Sequence, residues 1–263
     1  MKLKATVAYN GSGFHGFAPN NDVPTITGAI EDALAVIFGE PVTITGAGRT
    51  DKGVHARGQV ISFDVPEMIR KNRVESSKLE RSLNGLCGPG IVVRDIVRVP
   101  DDFHARFSAK WRRYRYQVLT SRQPDPLRAH GAWHVWEPLD LEAMRAAAQH
   151  LVGEHDFSSF CRRPKVDDDA HEKLMVRTVL STEWVDAGDD LLEFWIQATA
   201  FCHQMVRSIV GTLVNVGAGD FAPDDIPAMI RAKNRKQAGD VAPPHGLTFW
   251  EVYYPPADAP QPS

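Results

Sequence analysis

The chain has 263 residues, 43% of them hydrophobic and 24% charged, and a formal net charge of −3. That balance describes a soluble globular protein with one large core or two modest ones, and no apolar run approaches the length of a bilayer span. The three cysteines, Cys87, Cys161 and Cys202, have no CxxC spacing, which speaks against a disulfide framework or a cysteine-rich zinc site and favours a reducing cytoplasm.

The net charge fits a nucleic-acid binder poorly until it is resolved along the chain. From Arg106 to Arg128 seven basic residues stand against one acid, a local balance of +6. Compensating acids cluster at Asp167–Asp169, Asp189–Asp190 and Asp224–Asp225. Local charge, more than the total, governs contact with a polyanion.

In chain order, residues 3 to 9 alternate as a strand with Leu3, Ala5, Val7 and Tyr9 on one face, and contain no apolar core of signal-peptide length. Gly11-Ser-Gly-Phe-His-Gly16 has the GxGxxG form of a dinucleotide fingerprint. Pro19 and Pro24 delay the helix that such a site needs at once, so the stretch reads as a turn. Ile26, Ile30, Ala33, Leu34, Ile37 and Phe38 follow helical spacing, stopped by Gly39 and Pro41. A strand near 42–45 leads to a glycine-rich loop, and residues 59–65 form another alternating strand. Leu79, Leu83 and Leu86 mark a second helix, and a strand follows over 91–99. The first half thus reads β-α-β-β-α-β.

The second half repeats that order. A strand over 110–120 precedes a helix with Leu141, Met144, Ala148 and Leu151 inward, then strands near 176–185 and 191–200. A helix over 203–216, a shorter basic one over 225–236 and a last strand over 246–254 follow. Residues 121–139 and 161–174 read as long loops. Two split β-α-β units imply two α+β halves with a cleft between them. The expected division is 1–107, 108–255 and a disordered tail from 256 to 263, with a soft boundary near Phe107.

Chemistry concentrates in Gly46-Ala-Gly-Arg-Thr-Asp-Lys-Gly-Val-His-Ala56. Glycines suit a loop and a close approach to the main chain, so Asp51 is expected to be displayed, with Arg49 or Lys52 favouring its carboxylate form. The residues alone fit a surface turn with an ordinary ion pair equally well. On the strand over 110–120, alternation sets Lys110, Arg112, Tyr114 and Tyr116 on one face and Trp111, Arg113, Arg115 and Gln117 on the other. Neither face is apolar enough to be purely core, and cations beside tyrosines favour phosphate contact with base stacking over a half-buried sheet with arginines at its rim. On the later helix Arg207 interrupts an apolar arc of Met205, Val206, Ile209, Val210, Leu213 and Val214, one turn after His203. An arginine at a buried surface needs an anion, and Asp51 or another acid could supply it. The histidines are scattered without metal-site spacing, and there is no P-loop and no GxSxG elbow.

Four blocks occur in one order: Gly48-Arg-Thr-Asp-Lys-Gly-Val-His55, Asp101-Asp-Phe-His-Ala-Arg-Phe-Ser108, Arg112-Arg-Tyr-Arg-Tyr116 and Phe201-Cys-His-Gln-Met-Val-Arg-Ser-Ile-Val-Gly211. Together they resemble the tRNA pseudouridine synthase A family, from about Val7 to Pro255. The resemblance implies the pseudouridine synthase fold, with the sheets of its two α+β halves joined around a central cleft. It also implies isomerisation of uridine to pseudouridine in the tRNA anticodon stem-loop, at tRNA positions 38–40, without metal or organic cofactor. Asp51 matches the family's nucleophile, by an adduct or a glycal route. Tyr114 matches the tyrosine that stacks on the base and takes the C5 proton, and Arg207 the arginine that pairs with the aspartate. Arg49 matches a residue holding the flipped nucleotide, and Leu247 an apolar residue lining the uracil pocket. A homodimer sharing one tRNA, in the cytoplasm and off any membrane, is likewise implied.

This chain departs from the family pattern at Gly16-Phe-Ala-Pro19, where Gly-Trp-Gln is usual, and lacks a glutamine near Thr25-Ile-Thr27. Those departures leave the exact RNA substrate open. Three rivals stand beside that reading: a glycosidase, which would need a second carboxylate as proton donor, an RNA-binding module without catalysis, and a diverged paralogue acting on another RNA.

Overall fold

The computed structural model describes residues 1–20, 22–67, 75–162 and 175–256. The expected tail beyond residue 256, most of the expected loop over 161–174 and the acids at 167–169 lie outside the described residues. The chain divides into two compact units. One is Met1–Trp111 together with the chain from Phe249, and the other is Arg112–Thr248.

In the first unit β1 (Lys2–Tyr9) buries Leu3, Ala5, Val7 and Tyr9, as its alternation predicts. β1 lies antiparallel between β3 (His55–Asp64) and β4 (Ile91–Val99). Strand β2 (Ile44–Gly46) pairs with β3, whose other neighbour is β10 (Leu247–Tyr253). The register against β4 shifts between Lys4 and Thr6, where Asp95 takes φ 56°. Aspartate tolerates that left-handed geometry, and an extra residue there makes a bulge.

Helix α1 (Ile26–Phe38) starts at Thr25, whose side chain accepts the amide of Gly28, and ends at Gly39 with φ 76°. These are the start and stop expected of a hydroxyl N-cap and a glycine C-cap. Helix α2 (Ser76–Cys87) buries Leu79 and Leu83 but leaves Leu86 52% exposed. Asn84 clasps Val93 from both sides, donating to its carbonyl at 2.9 Å and accepting its amide at 2.7 Å. Glu31 accepts the amide of Ile44, so side chains from both helices tie them to the strand backbones.

In the second unit β5 (Trp111–Leu119, counted here from Arg112) pairs antiparallel with β9 (Leu191–Ala198). β9 pairs in turn with β8 (Val176–Asp186), and β8 with β7 (Gly153–Asp156). β6 (Trp133–His134) runs parallel to the end of β5. Both β6 and β7 fall in stretches too short and too polar to show alternation. Helix α3 (Leu141–Gln149), capped by Asp140, packs against α4 (Met205–Ala218). α4 is buried around nearly its whole circumference. α5 (Ile226–Ala232) is shorter than the basic helix expected, and a separate 3-10 turn covers Arg235–Gln237.

One reading from the sequence needs correcting. The face carrying Arg112, Tyr114 and Tyr116 is core, at 9%, 7% and 0% exposure. Arg112 donates to Thr199 O at 2.8 Å, an anchor inside the fold. Alternation says which residues share a face, not which face is covered. Cys161 and Cys202 are neighbours in the fold, with Cα atoms 5.9 Å apart. They stand 41 residues apart, so spacing carried no hint of it. Among the described residues, no helix is long and apolar enough to cross a membrane.

Candidate active site

Residues 47–54, between β2 and β3, form an irregular loop whose backbone is fixed from below. Gln59, fully buried, donates to Gly48 O at 2.8 Å and accepts from Gly48 N at 3.3 Å. Thr50 is buried and bonded to the Tyr9 hydroxyl at 2.8 Å, which also lies within reach of Gln59. Burial pushes the Tyr9 phenol far above its ordinary pKa, so it stays a neutral partner. These three side chains make a closed polar cluster beneath the loop, the arrangement in which buried hydrogen bonds confer most rigidity.

The stretch Gly11–Gly16 flanks the loop. It is a 3-10 turn over Gly11–Gly13 followed by irregular chain, and no helix begins until Ile26. Gly16, at φ 101°, lies so close to Thr50 that a Cβ would come within 2.9 Å of its carbonyl oxygen. Phe17 N donates to that oxygen at 3.0 Å. His15 Nε2 accepts from Lys52 Nζ at 3.1 Å, and His55 Nδ1 accepts from Gly11 N at 3.1 Å. The turn Asp51-Lys-Gly-Val54 closes through Val54 N to Asp51 O at 3.2 Å, with Gly53 at φ 80° where only glycine is unstrained. With its backbone held on both sides, Asp51 is half-buried, while Arg49 and Lys52 point to solvent. Pre-set backbone of this kind fixes a carboxylate without ordering cost at the moment of reaction.

The departures at 16–19 and 25–27 fall under this loop. Phe17 is 4% exposed and its ring fills the space a side chain on Gly46 would need. Ile26 N and Thr27 N donate to Gly16 O and Phe17 O at 3.1 and 3.0 Å. The positions therefore act as a support for the aspartate loop, with phenylalanine as the wedge.

In the second unit Tyr114 lies on β5 with its ring edge-on to Phe201 at 4.9 Å. Arg207, on the first turns of α4, donates Nε to Ala242 O at 2.7 Å, and Ala242 N returns a bond to Arg207 O at 3.1 Å. Tyr116 donates its hydroxyl to Pro243 O at 2.8 Å. Burial raises the Tyr116 pKa, opposed by the positive charge of Arg207. The pKa of His245 is lowered from 6.5, first by burial, with an opposing hydrogen bond to the Ala132 backbone and further lowering by His130 and Arg207. Arg207, Tyr116 and His245 thus share one electrostatic neighbourhood, and Leu247, 6% exposed, follows directly at the start of β10. His245, Ala242 and Gln59 carried no signal in the sequence. Phe201 stood in a motif block without an assigned role.

On the half-exposed face of β5, Arg113 lies over the Trp195 ring at 4.5 Å, and Arg115 pairs with Glu193 at 3.1 Å. Part of the +6 balance is therefore neutralised locally, Arg128 also meeting Asp125 and Asp189. Among the described residues, no group of three or more His, Cys, Asp or Glu side chains could hold a metal ion.

A fixed aspartate loop in one unit, and a tyrosine strand with an arginine helix in the other, coincide with a match to a family model described as tRNA pseudouridine synthase. That match covers residues 5–108 and 147–255. Asp51, Arg49, Arg207 and Leu247 lie inside the matched stretches and Tyr114 between them. The chain belongs to the tRNA pseudouridine synthase family. Within it, proteins called tRNA pseudouridine synthase A are similar over almost their whole length. That of Bacillus velezensis is 43% identical over 256 residues, covering 97% of this chain and 99% of the relative. That of Bacillus subtilis is 40% identical over 257 residues, at 97% and 99%. That of Myxococcus xanthus is 39% identical over 262 residues, at 98% and 95%.

Proposed function

We propose that this protein isomerises uridine to pseudouridine in the anticodon stem-loop of tRNA, at positions 38–40, and that Asp51 is its nucleophile. The observation that carries the reading is the fixed backbone around Asp51, a half-buried carboxylate on a loop held by Gln59, Thr50 and the 11–17 segment. The reaction must break the bond from C1′ to N1 of uracil, retain the base while it turns, and rejoin it through C5 with loss of the C5 proton. One carboxylate acting at the sugar suffices, provided the base is held away from water between the steps.

Tyr114 stacks on that base and takes the C5 proton, and Leu247 lines the uracil pocket. Arg207 orients the carboxylate of Asp51. Arg49, at the solvent edge of the loop, holds the nucleotide out of its stack, a step costing a few kcal/mol. The enzyme works without metal or organic cofactor, in the cytoplasm, as a homodimer whose two subunits contact one tRNA.

Incubating the protein with unmodified tRNA transcripts and mapping pseudouridine by carbodiimide adducts and primer extension tests this. New stops confined to the anticodon arm are expected. Free uracil in the supernatant would mean a glycosidase, and binding without any pseudouridine would mean a module that has lost catalysis.

A further inference from the structure

The block Asp101–Ser108 has no task in the reaction just described, yet it builds the most deliberately held exposed aromatic of the first unit. Ala105 anchors it: its amide donates to Ser62 Oγ at 3.3 Å and its carbonyl accepts the Tyr254 hydroxyl at 2.6 Å. Ala105 is fully buried in a cluster with Val60 and Ala47. Ala47 opens the aspartate loop, so turn and loop share a root.

Above that anchor the chain folds tightly. His104 Nδ1 accepts the amides of Arg106 and Phe107 at 3.1 and 3.3 Å. Ser108 closes the turn, donating its amide to His104 O at 2.9 Å and accepting His104 N on its hydroxyl at 3.0 Å. The result displays Phe107 at 74% exposure, its ring centred 4.4 Å from that of His104 and 5.4 Å from the Arg106 guanidinium.

A single exposed apolar side chain needs no explanation in itself. This one is fixed by four hydrogen bonds in its own turn, so little ordering remains to oppose binding. It also carries a cation beside it, with Lys110 exposed shortly after. An interface between copies of this chain would favour a wider apolar patch depleted of charge. A flat ring flanked by cations suits an unpaired base and its phosphate.

We infer that Phe107 is a stacking platform for an unpaired tRNA base adjacent to the reacting nucleotide, with Arg106 meeting a neighbouring phosphate. This rests on tRNA being the substrate. The test compares wild type with Phe107→Ala, Phe107→Trp and Arg106→Gln on an unmodified tRNA transcript. It measures kcat, KM, filter binding, thermal midpoint and sedimentation. Phe107→Ala should raise KM and the dissociation constant roughly ten-fold, with kcat, melting and oligomeric state close to wild type. Phe107→Trp should restore binding, and Arg106→Gln should weaken it and flatten its salt dependence. Turnover by wild type with unchanged KM in Phe107→Ala overturns the inference and leaves the enzyme assignment standing. A changed oligomeric state in Phe107→Ala also overturns it, in favour of a contact between copies. Absence of turnover in wild type tells against the tRNA reading itself.

Discussion

The aspartate loop and the Tyr114–Arg207–Leu247 group are held by different means. The loop has no regular structure, and its position comes from hydrogen bonds to Gln59, the Tyr9–Thr50 pair and the 11–17 segment. The second group sits on a strand, a helix and the first residue of another strand, and its backbone position comes from packing, with the Arg207 side chain also bonded to Ala242. Precision from polar contacts is lost by removing one partner, whereas precision from packing is lost by adding or removing volume. A change in each region should therefore fail in a different way.

The largest effect on folding is expected at Gly211→Ala on α4. A Cβ there would run into the backbone oxygen of Asp240, which cannot swing aside as a side chain could. A loss of about 3 kcal/mol is expected, read as a lowered urea midpoint. Turnover per folded molecule should fall too, because the same segment carries Ala242 against Arg207. Wild-type stability in that variant would mean the helix does not depend on the close approach.

Gln59→Leu should act through polar contacts instead, costing about 1–2 kcal/mol of stability by leaving both polar groups of Gly48 unpaired. The main consequence should be a drop in kcat at similar KM for tRNA, since the loop loses its setting and not its surface. An intact kcat would break the contrast between the regions. Tyr116→Phe removes one bond, to Pro243 O. It should cost about 1 kcal/mol with little change in rate.

The smallest effect concerns pH. The lowered pKa of His245 means the unfolded chain takes up a proton before the folded one does. The stability associated with this group is complete above about pH 6.5, its ordinary value, and is lost as pH falls below it. Urea midpoints from pH 7.5 down to 5.5 should fall less steeply in His245→Gln than in wild type. An unchanged slope would place the pH sensitivity elsewhere.

Much of the architecture was legible because apolar spacing reports directly on burial. Strand β1, helix α1 and the element order of the first half follow from it, and Gly39 marked where α1 stops. Asp51, expected to be displayed, is half-buried, whereas the non-dinucleotide character of Gly11–Gly16 was legible, because Pro19 and Pro24 keep the helix away. Its role as a support for the loop was not, since that depends on contacts with residues 50–55. β3 is buried on both faces at Gln59, Val60, Ile61, Ser62 and Phe63, so alternation could not reveal Gln59 as a core residue. The burial of Arg112 stayed hidden because its partner is a backbone carbonyl 87 residues away. The proximity of Cys161 to Cys202 has the same character, a contact made by the fold alone.

The central claim is that the held carboxylate of Asp51 performs the chemistry. Its most direct test is tritium release from C5-labelled uridine in unmodified tRNA, comparing the wild-type protein with Asp51→Asn. The account predicts release by the wild type and a fall of at least about 10³-fold in the variant, with melting and tRNA binding preserved. Comparable release by both proteins would contradict it.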